Sequence, residues 1–378
     1  MTDISNSNDI KHEKRQQIFR CILKEKSTSR QDIAHELHIS MPTALQYITE
    51  LQNRNFIRED GLFRSTGGRK AGRLTIASDT AYFIGADITK GHISYVLTNL
   101  AGELVSHERI PLPYQNMPEY YQQFQKKLLE FIGKNKVPKE KISGVGFAIP
   151  GILDAACTTI LDSHVLGLKN LSVLPFAEGT SCPVLFLNDA NAAAVAEMHA
   201  TEATDKPRDF VYLSLSNSIG GAVFVDGHLY RGTNQRSGEF GHMRIVPGGK
   251  KCYCGQRGCL DAYCSALTLS PEGKHLERFF SKLQKKDKTA TRQWDMYLKM
   301  LSLAIINIRM AYDCPIILGG YVGNFIEPYM PQLCQIVSGM DPFETDSFSY
   351  LHACHYQLEA SAFGASLAIL DSFIDKYV

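Results

Sequence analysis

Gly238-Glu239-Phe240-Gly241-His242, followed after nine residues by Cys252-Tyr253-Cys254-Gly255-Gln256-Arg257-Gly258-Cys259, decides how the rest of the chain is read. One imidazole and three thiols fill a tetrahedral zinc shell and leave no vacancy, which is the chemistry of a structural rather than a catalytic ion. Gly255 and Gly258 let the backbone turn tightly around it. Reduced cysteines in an ordinary loop do not come as two ligand-spaced thiols with a third in one glycine turn. His242, Cys252, Cys254 and Cys259 are therefore the candidate ligands, with Zn2+ as the ion. Cys264 is near enough to compete, but the helical stretch Leu260 to Ala266 makes it a core residue. The remaining cysteines, at 21, 157, 182, 314, 334 and 354, read as small apolar fillers.

Around this cluster, strand-like runs alternate with helical ones from Tyr82 onward, an α/β pattern. Phe83 to Asp87, Ile93 to Asn99 and Leu104 to Ile110 are successive strands, with Ala101-Gly102 as a hairpin turn. Tyr120 to Lys134 is a helix. Ile142 to Ala148 is a buried strand ending at Pro150-Gly151, and Val184 to Leu187 runs directly into Asn188-Asp189-Ala190-Asn191. Phe210 to Leu215 and Gly221 to Val225 pair around Ser216-Asn217-Ser218-Ile219-Gly220. Leu301 to Ala311 is a helix, and Ile316 to Leu318 is a strand that stops at Gly319-Gly320.

The first seventy-six residues follow another pattern. Ile18, Phe19, Ile22 and Leu23 recur at helical spacing within Lys11 to Lys26. Ser29-Arg30-Gln31-Asp32 resembles a capping box and opens a short helix with Ile33, Ala34 and Leu37 on one face. After the turn His38-Ile39-Ser40, Ser40 caps a third helix whose first turn tolerates Pro42 and whose stripe is Ala44, Ile48 and Leu51. Two short helices joined by a tight turn form a helix-turn-helix. Asn55 to Arg58 and Arg73 to Ile76 then flank a glycine-rich basic wing, Thr66 to Arg73. The third helix suits a major groove, with Thr43 and Gln46 toward base edges, and Arg69, Lys70 and Arg73 suit phosphates. A helical protein-interaction module with solvated charges is the milder alternative.

With 378 residues the chain is long enough for two or three domains. The 40 Lys and Arg nearly cancel the 39 Asp and Glu, so the total says nothing for or against nucleic acid. Residues 1–76 hold 13 cations against nine acids, leaving a mildly acidic body. No apolar run reaches the roughly 18 residues that cross a bilayer, and the polar start lacks a secretory segment, so a cytoplasmic protein without a membrane role is expected.

The motifs together resemble the ROK family of repressors and sugar kinases. The resemblance rests on Gly238 to His242, the three cysteines, Cys259-Leu260-Asp261-Ala262-Tyr263-Cys264-Ser265, Leu187-Asn188-Asp189-Ala190-Asn191-Ala192-Ala193 and Leu229-Tyr230-Arg231-Gly232, in that family's order over about residues 80 to 370. It implies a two-lobed α/β body of actin and hexokinase type, that is, ribonuclease H-like, with a structural zinc site. The expected division is a winged helix-turn-helix over 1–78 and a sugar-binding domain over 79–378, lobe one being about 79–190 with 361–378 and lobe two about 191–360.

In the family's kinases a sugar sits in the cleft and ATP phosphates sit on glycine-rich turns. The resemblance places Asp189 on the general base and Asn188, Glu239, His242 and Asp261 on the residues that bond sugar hydroxyls, His242 through the ring nitrogen not given to zinc. Asp261 is one methylene shorter than the family's usual Glu, and Gln235 stands where a glycine is common. Both phosphate turns depart further: Asp87-Ile88-Thr89-Lys90-Gly91-His92 and Ser216-Asn217-Ser218 put side chains where bare amides approach phosphate. No catalytic residue and no enzyme activity are therefore expected. The expected function is a transcriptional regulator, a repressor of carbohydrate genes, that binds a roughly palindromic DNA operator as a homodimer or homotetramer and answers to a sugar or sugar phosphate. Two alternatives remain: an active ATP-dependent sugar kinase carrying a DNA-binding head, supported by Asp189 and Gly319-Gly320, and a regulator controlled by a protein partner.

Overall fold

A computed structural model of the protein describes residues 3–63, 71–202, 208–271, 275–343, 346–357 and 359–378. The chain divides into two compact units, residues 1–148 with 174–186 and 362–378, and residues 149–173 with 187–361. The helix-turn-helix segment thus shares a unit with the first sheet, and 149–173 goes with the second unit.

The chain opens with α1 (Asp3–Glu25), α2 (Arg30–Glu36) and α3 (Met41–Asn53), then the antiparallel ribbon of β1 (Ile57–Leu62) and β2 (Gly72–Ile76). Ile18, Phe19, Ile22, Ile33, Ala44, Ile48 and Leu51 are all buried, as their spacing requires. Ser29 Oγ accepts from the Asp32 N–H at 3.2 Å and Ser40 Oγ from the Thr43 N–H at 3.3 Å, so both helix starts are capped. α1 begins well ahead of Lys11, because its first turns are polar and carry no apolar stripe.

Next come β3 (Tyr82–Ile88), β4 (His92–Asn99), β5 (Leu104–Pro111), α4 (Pro118–Lys134), β6 (Ile142–Ile149), β7 (Ile152–Leu153), β8 (Thr159–Ser163), β9 (Leu168–Ser172), α5 (Leu174–Ala177), β10 (Val184–Asn188) and α6 (Asp189–Glu202). Then follow β11 (Phe210–Leu215), β12 (Ile219–Val225), β13 (His228–Leu229), α7 (Asp261–Cys264), α8 (Leu276–Gln284), α9 (Lys288–Tyr312), β14 (Ile316–Gly319), α10 (Gly320–Ile326), α11 (Met330–Ser338), β15 (Leu351–Ala353) and α12 (Ala360–Tyr377). One mixed sheet has the order β10-β6-β3-β4-β5, the other β13-β12-β11-β14-β15, and β7-β8-β9 form a small third sheet.

The first sheet carries α12 at very short range. A Cβ on Gly85 of β3 or Gly146 of β6 would overlap the carbonyl oxygens of Ala362 and Ala365, so only glycine fits there. At its other end α12 meets the head, where Phe373 packs edge-on against Phe56 at 6.0 Å and against Phe83 at 5.2 Å. In the second unit α9 is the longest helix of the described residues, and its Trp294, Tyr297, Leu301 and Ile305 are buried under the sheet's Leu213, Ile316 and Leu318. No helix of the described residues is long and apolar enough to cross a membrane.

Candidate functional site

The ligand atoms of His242, Cys252, Cys254 and Cys259 all lie within 4.8 Å of one another, so these four could hold a metal ion. Cys254 and Cys259 sulfurs are 3.8 Å apart, and Cys252 Sγ is 4.0 Å from His242 Nδ1. Two sulfurs on a tetrahedral zinc with bonds of about 2.3 Å are separated by about 3.8 Å, so the cluster fits the ion. Gly255 and Gly258, at φ +86° and +85°, make the turns that bring the thiols together. Burial pushes the Cys252 thiol up to about 12, while Cys254, despite its own burial cost, is held below its ordinary value by the Gln256 backbone and the other two thiols. A divalent cation bound here would displace the thiol protons, because thiolates are the ligands.

The other ring nitrogen of His242, Nε2, is hydrogen-bonded with the Tyr253 hydroxyl at 3.3 Å and lies 3.9 Å from a Glu239 carboxylate oxygen. Glu239 and Asn188 line a cleft within the second unit, together with Gly151, Ile152, Leu153, Asn191, Arg231, Gln235 and Ser237. Asn188 has its amide NH2 on the Gly151 carbonyl at 3.0 Å, and its Oδ1 accepts from the Ala190 and Asn191 N–H groups, capping α6. Asp189 opens α6, and burial raises its carboxyl against the pull of the Ala190 N–H. Glu239 is raised by burial and then by the Asp189 charge. Asp261 is buried too, but its Oδ1 accepts from the Ile219 N–H at 2.7 Å and the Ser218 hydroxyl at 3.2 Å, so the shorter side chain ties down the turn before β12.

Two cleft residues stand out: Ser237, which motif reading did not select, and Gln235, already noted as standing where a glycine is common. Ser237 Oγ is buried with no hydrogen-bond partner among the described residues, and Gln235 holds φ +57°, a left-handed value for a residue with a side chain. The segment before Glu239 is a series of turns with no periodic pattern, so nothing in the sequence marked the burial of Ser237.

A hydroxyl of each altered turn accepts from backbone amides, in the first case the turn's own and in the second that of a later helix. In the first unit Thr89 Oγ1 accepts from the Gly91 N–H at 3.3 Å and the His92 N–H at 3.0 Å. In the second, Ser216 Oγ accepts from the Tyr321 N–H at the start of α10 at 3.4 Å, beside Gly320, whose φ is +77°.

The sequence profile of the ROK family covers residues 83–371, and that of a winged helix-turn-helix DNA-binding segment covers residues 11–58. The chain belongs to the ROK family. This ROK chain is 28% identical to a xylose repressor of Bacillus spizizenii over 87% of its own length and 83% of that protein's. It is 29% identical to an N-acetylmannosamine kinase of Citrobacter koseri over 68% of its length and 88% of the kinase. A crystallised ROK family transcriptional regulator, described as a homologue of the E. coli MLC protein, superposes with a TM-score of 0.78 over 97% of both chains at 20% identity, a likeness of fold.

The ROK chain's head places its expected DNA contacts unevenly. Gln46 is exposed, its amide reaching Glu50 at 3.1 Å, and Leu45 beside it is exposed as well. Thr43 turns its hydroxyl to the Ser40 cap at 2.8 Å. Arg73 pairs with Asp60 at 3.0 Å. Arg69 and Lys70 lie outside the described residues.

Proposed function

We propose that this ROK chain is a DNA-binding transcriptional repressor of carbohydrate genes, acting in the cytoplasm as a homodimer or homotetramer, and that a sugar or sugar phosphate bound in the cleft controls it. The observation that supports the non-enzymatic half is that Thr89 Oγ1 accepts from the Gly91 and His92 N–H groups, in a stretch where the family resemblance implies a glycine-rich phosphate turn with bare amides. Phosphoryl transfer depends on positioning and charge stabilisation of the donor, so Asp189 without a held phosphate has nothing to deprotonate toward. The orphaned Ser237 Oγ supports ligand binding, because a buried hydroxyl gains its missing hydrogen bond from a sugar hydroxyl.

In this mechanism Asn188, Asp189, Glu239 and His242 Nε2 accept or donate to ring hydroxyls, while Asp261 holds the Ser218–Ile219 turn behind them. His242, Cys252, Cys254 and Cys259 hold a structural zinc, which supplies a rigid cross-link when bound. The head's third helix presents Gln46, with Thr43 and the wing residues Arg69, Lys70 and Arg73, to the operator. The relatives' names support the sugar class, since they include a xylose repressor and an N-acetylmannosamine kinase.

The test uses the full chain and the DNA upstream of its own gene. Retardation of that DNA, relieved by a member of a panel containing D-xylose, D-glucose, N-acetylmannosamine and their phosphates, is the expected result. No retardation at any salt overturns it. A coupled ADP-release assay over the same sugars is expected to stay at background, and turnover abolished by Asp189→Asn would instead establish the kinase.

A further inference from the structure

Tyr253 sits between two of the candidate metal ligands in sequence, and its ring meets the His242 imidazole edge-on with centroids 5.3 Å apart. It lies parallel to the imidazole of His164, with centroids 3.8 Å apart and planes 7° from parallel. Its hydroxyl reaches Ser218 Oγ at 3.1 Å and His242 Nε2 at 3.3 Å. His164 follows directly on β8. Ser163 donates its hydroxyl to the Pro150 carbonyl, and Ile152 of β7 pairs with Asp162 of β8. Gly151 and, on β7, Ile152 and Leu153 line the cleft, and the Gly151 carbonyl receives the Asn188 amide. The Tyr253–His164 pair is therefore a surface aromatic contact between the metal loop and the cleft wall, with His164 exposed and Tyr253 42% exposed.

We propose that the Tyr253–His164 stack is a strap by which the metal-bearing loop holds the 150–164 wall of the cleft in place, making Tyr253 a positioning residue for the effector. Neither ring is packed into a core, so burial does not explain why they meet face to face. A hydrophobic filler would not need Tyr253 to project between two cysteines toward another segment. The role of the wall in effector binding rests on the sugar reading above; the strap itself does not.

Hydrogen exchange of the zinc-loaded full chain, followed by mass spectrometry over 150–164 and 250–261, tests it without any sugar. Stripping the metal with a chelator is expected to speed exchange in both segments. With zinc content unchanged by elemental analysis, Tyr253→Ala is expected to speed exchange in 150–164 by about threefold to tenfold, the range an aromatic pair is worth, and to leave 250–261 protected. His164→Ala, outside the metal loop, is expected to do the same and keeps the test valid where the Tyr253 variant loses metal. Tyr253→Phe and His164→Phe keep a ring in place and are expected to keep wild-type protection. Unchanged exchange of 150–164 in both alanine variants overturns the strap, and so does Tyr253→Phe behaving like Tyr253→Ala, which would assign the protection to the hydroxyl. A strap that passes while no sugar shifts the melting temperature of the wild type would sink the sugar reading alone.

Discussion

Ser237 is where a single atom decides most. Its Oγ is buried with no partner among the described residues, a state that costs about 1–3 kcal/mol for a hydroxyl and that a ligand hydroxyl would relieve. Ser237→Ala is expected to leave the melting temperature unchanged or slightly raised, and to weaken the effective sugar about tenfold by calorimetry. Equal affinity would mean the cleft's sugar lies elsewhere. Gln235 at φ +57° carries the opposite imbalance, since a left-handed backbone costs a side-chain-bearing residue about 1 kcal/mol. Gln235→Gly is expected to raise the denaturation midpoint modestly and to change which sugars bind. In the first sheet, burial and then Arg109 push His92 down to about 4 from its ordinary 6.5. The native state thus holds this ring neutral while the unfolded chain protonates it, so its contribution is present above pH 6.5 and is lost as pH falls toward 4. His92→Gln is expected to flatten the decline of melting temperature across that window.

At the scale of elements, the metal loop was legible because its information is local: ligand types, short spacings and two glycines lie within one stretch. Strands such as β3, β4 and β6 were legible for a similar reason, each being a run of buried residues bounded by turn chemistry. The β7-β8-β9 sheet was not, since β8 and β9 are short and half-exposed and present no apolar run. Contacts such as Tyr253 on His164, or Asp261 on the Ile219 N–H, pair residues far apart in sequence and had no local signal at all. The loop also yields a direct test. Cys254→Ser is expected to lose zinc and to lower the melting temperature by about 5 °C, the shift that about 2 kcal/mol gives in a domain of this size. Chelation should then lower the wild type by the same amount and the variant no further; retained zinc would remove Cys254 from the ligand set.

For the whole molecule, the near-cancellation of 40 cations by 39 acids conceals a basic head, and the structure shows how that charge is spent. Arg15, Arg30, Arg58 and Arg73 all stand in ion pairs with Glu50, Glu59, Asp79 and Asp60, contacts that orient the head's elements. Others turn to α12. Arg20 pairs with Asp371 at 2.7 Å and Asp375 at 2.8 Å, Arg15 donates to the Val378 carbonyl at 2.9 Å, and Arg54 donates to the Tyr377 and Val378 carbonyls. Cations at a helix C-terminus complement its dipole, so the head grips the end of α12 while Gly85 and Gly146 seat its beginning on the first sheet. One helix therefore contacts both the first sheet and the helix-turn-helix segment. The combined Arg54→Ala and Phe373→Ala variant removes a charge-assisted contact and an aromatic contact from that junction. It is expected to weaken operator binding about tenfold, equivalent to about 1.4 kcal/mol, and to split a single calorimetric transition into two, while the sugar-induced shift of the body's transition persists. One cooperative transition with wild-type operator affinity would show that the head does not depend on α12, and coupling would then have to run through the head's own ribbon at β1 and β2.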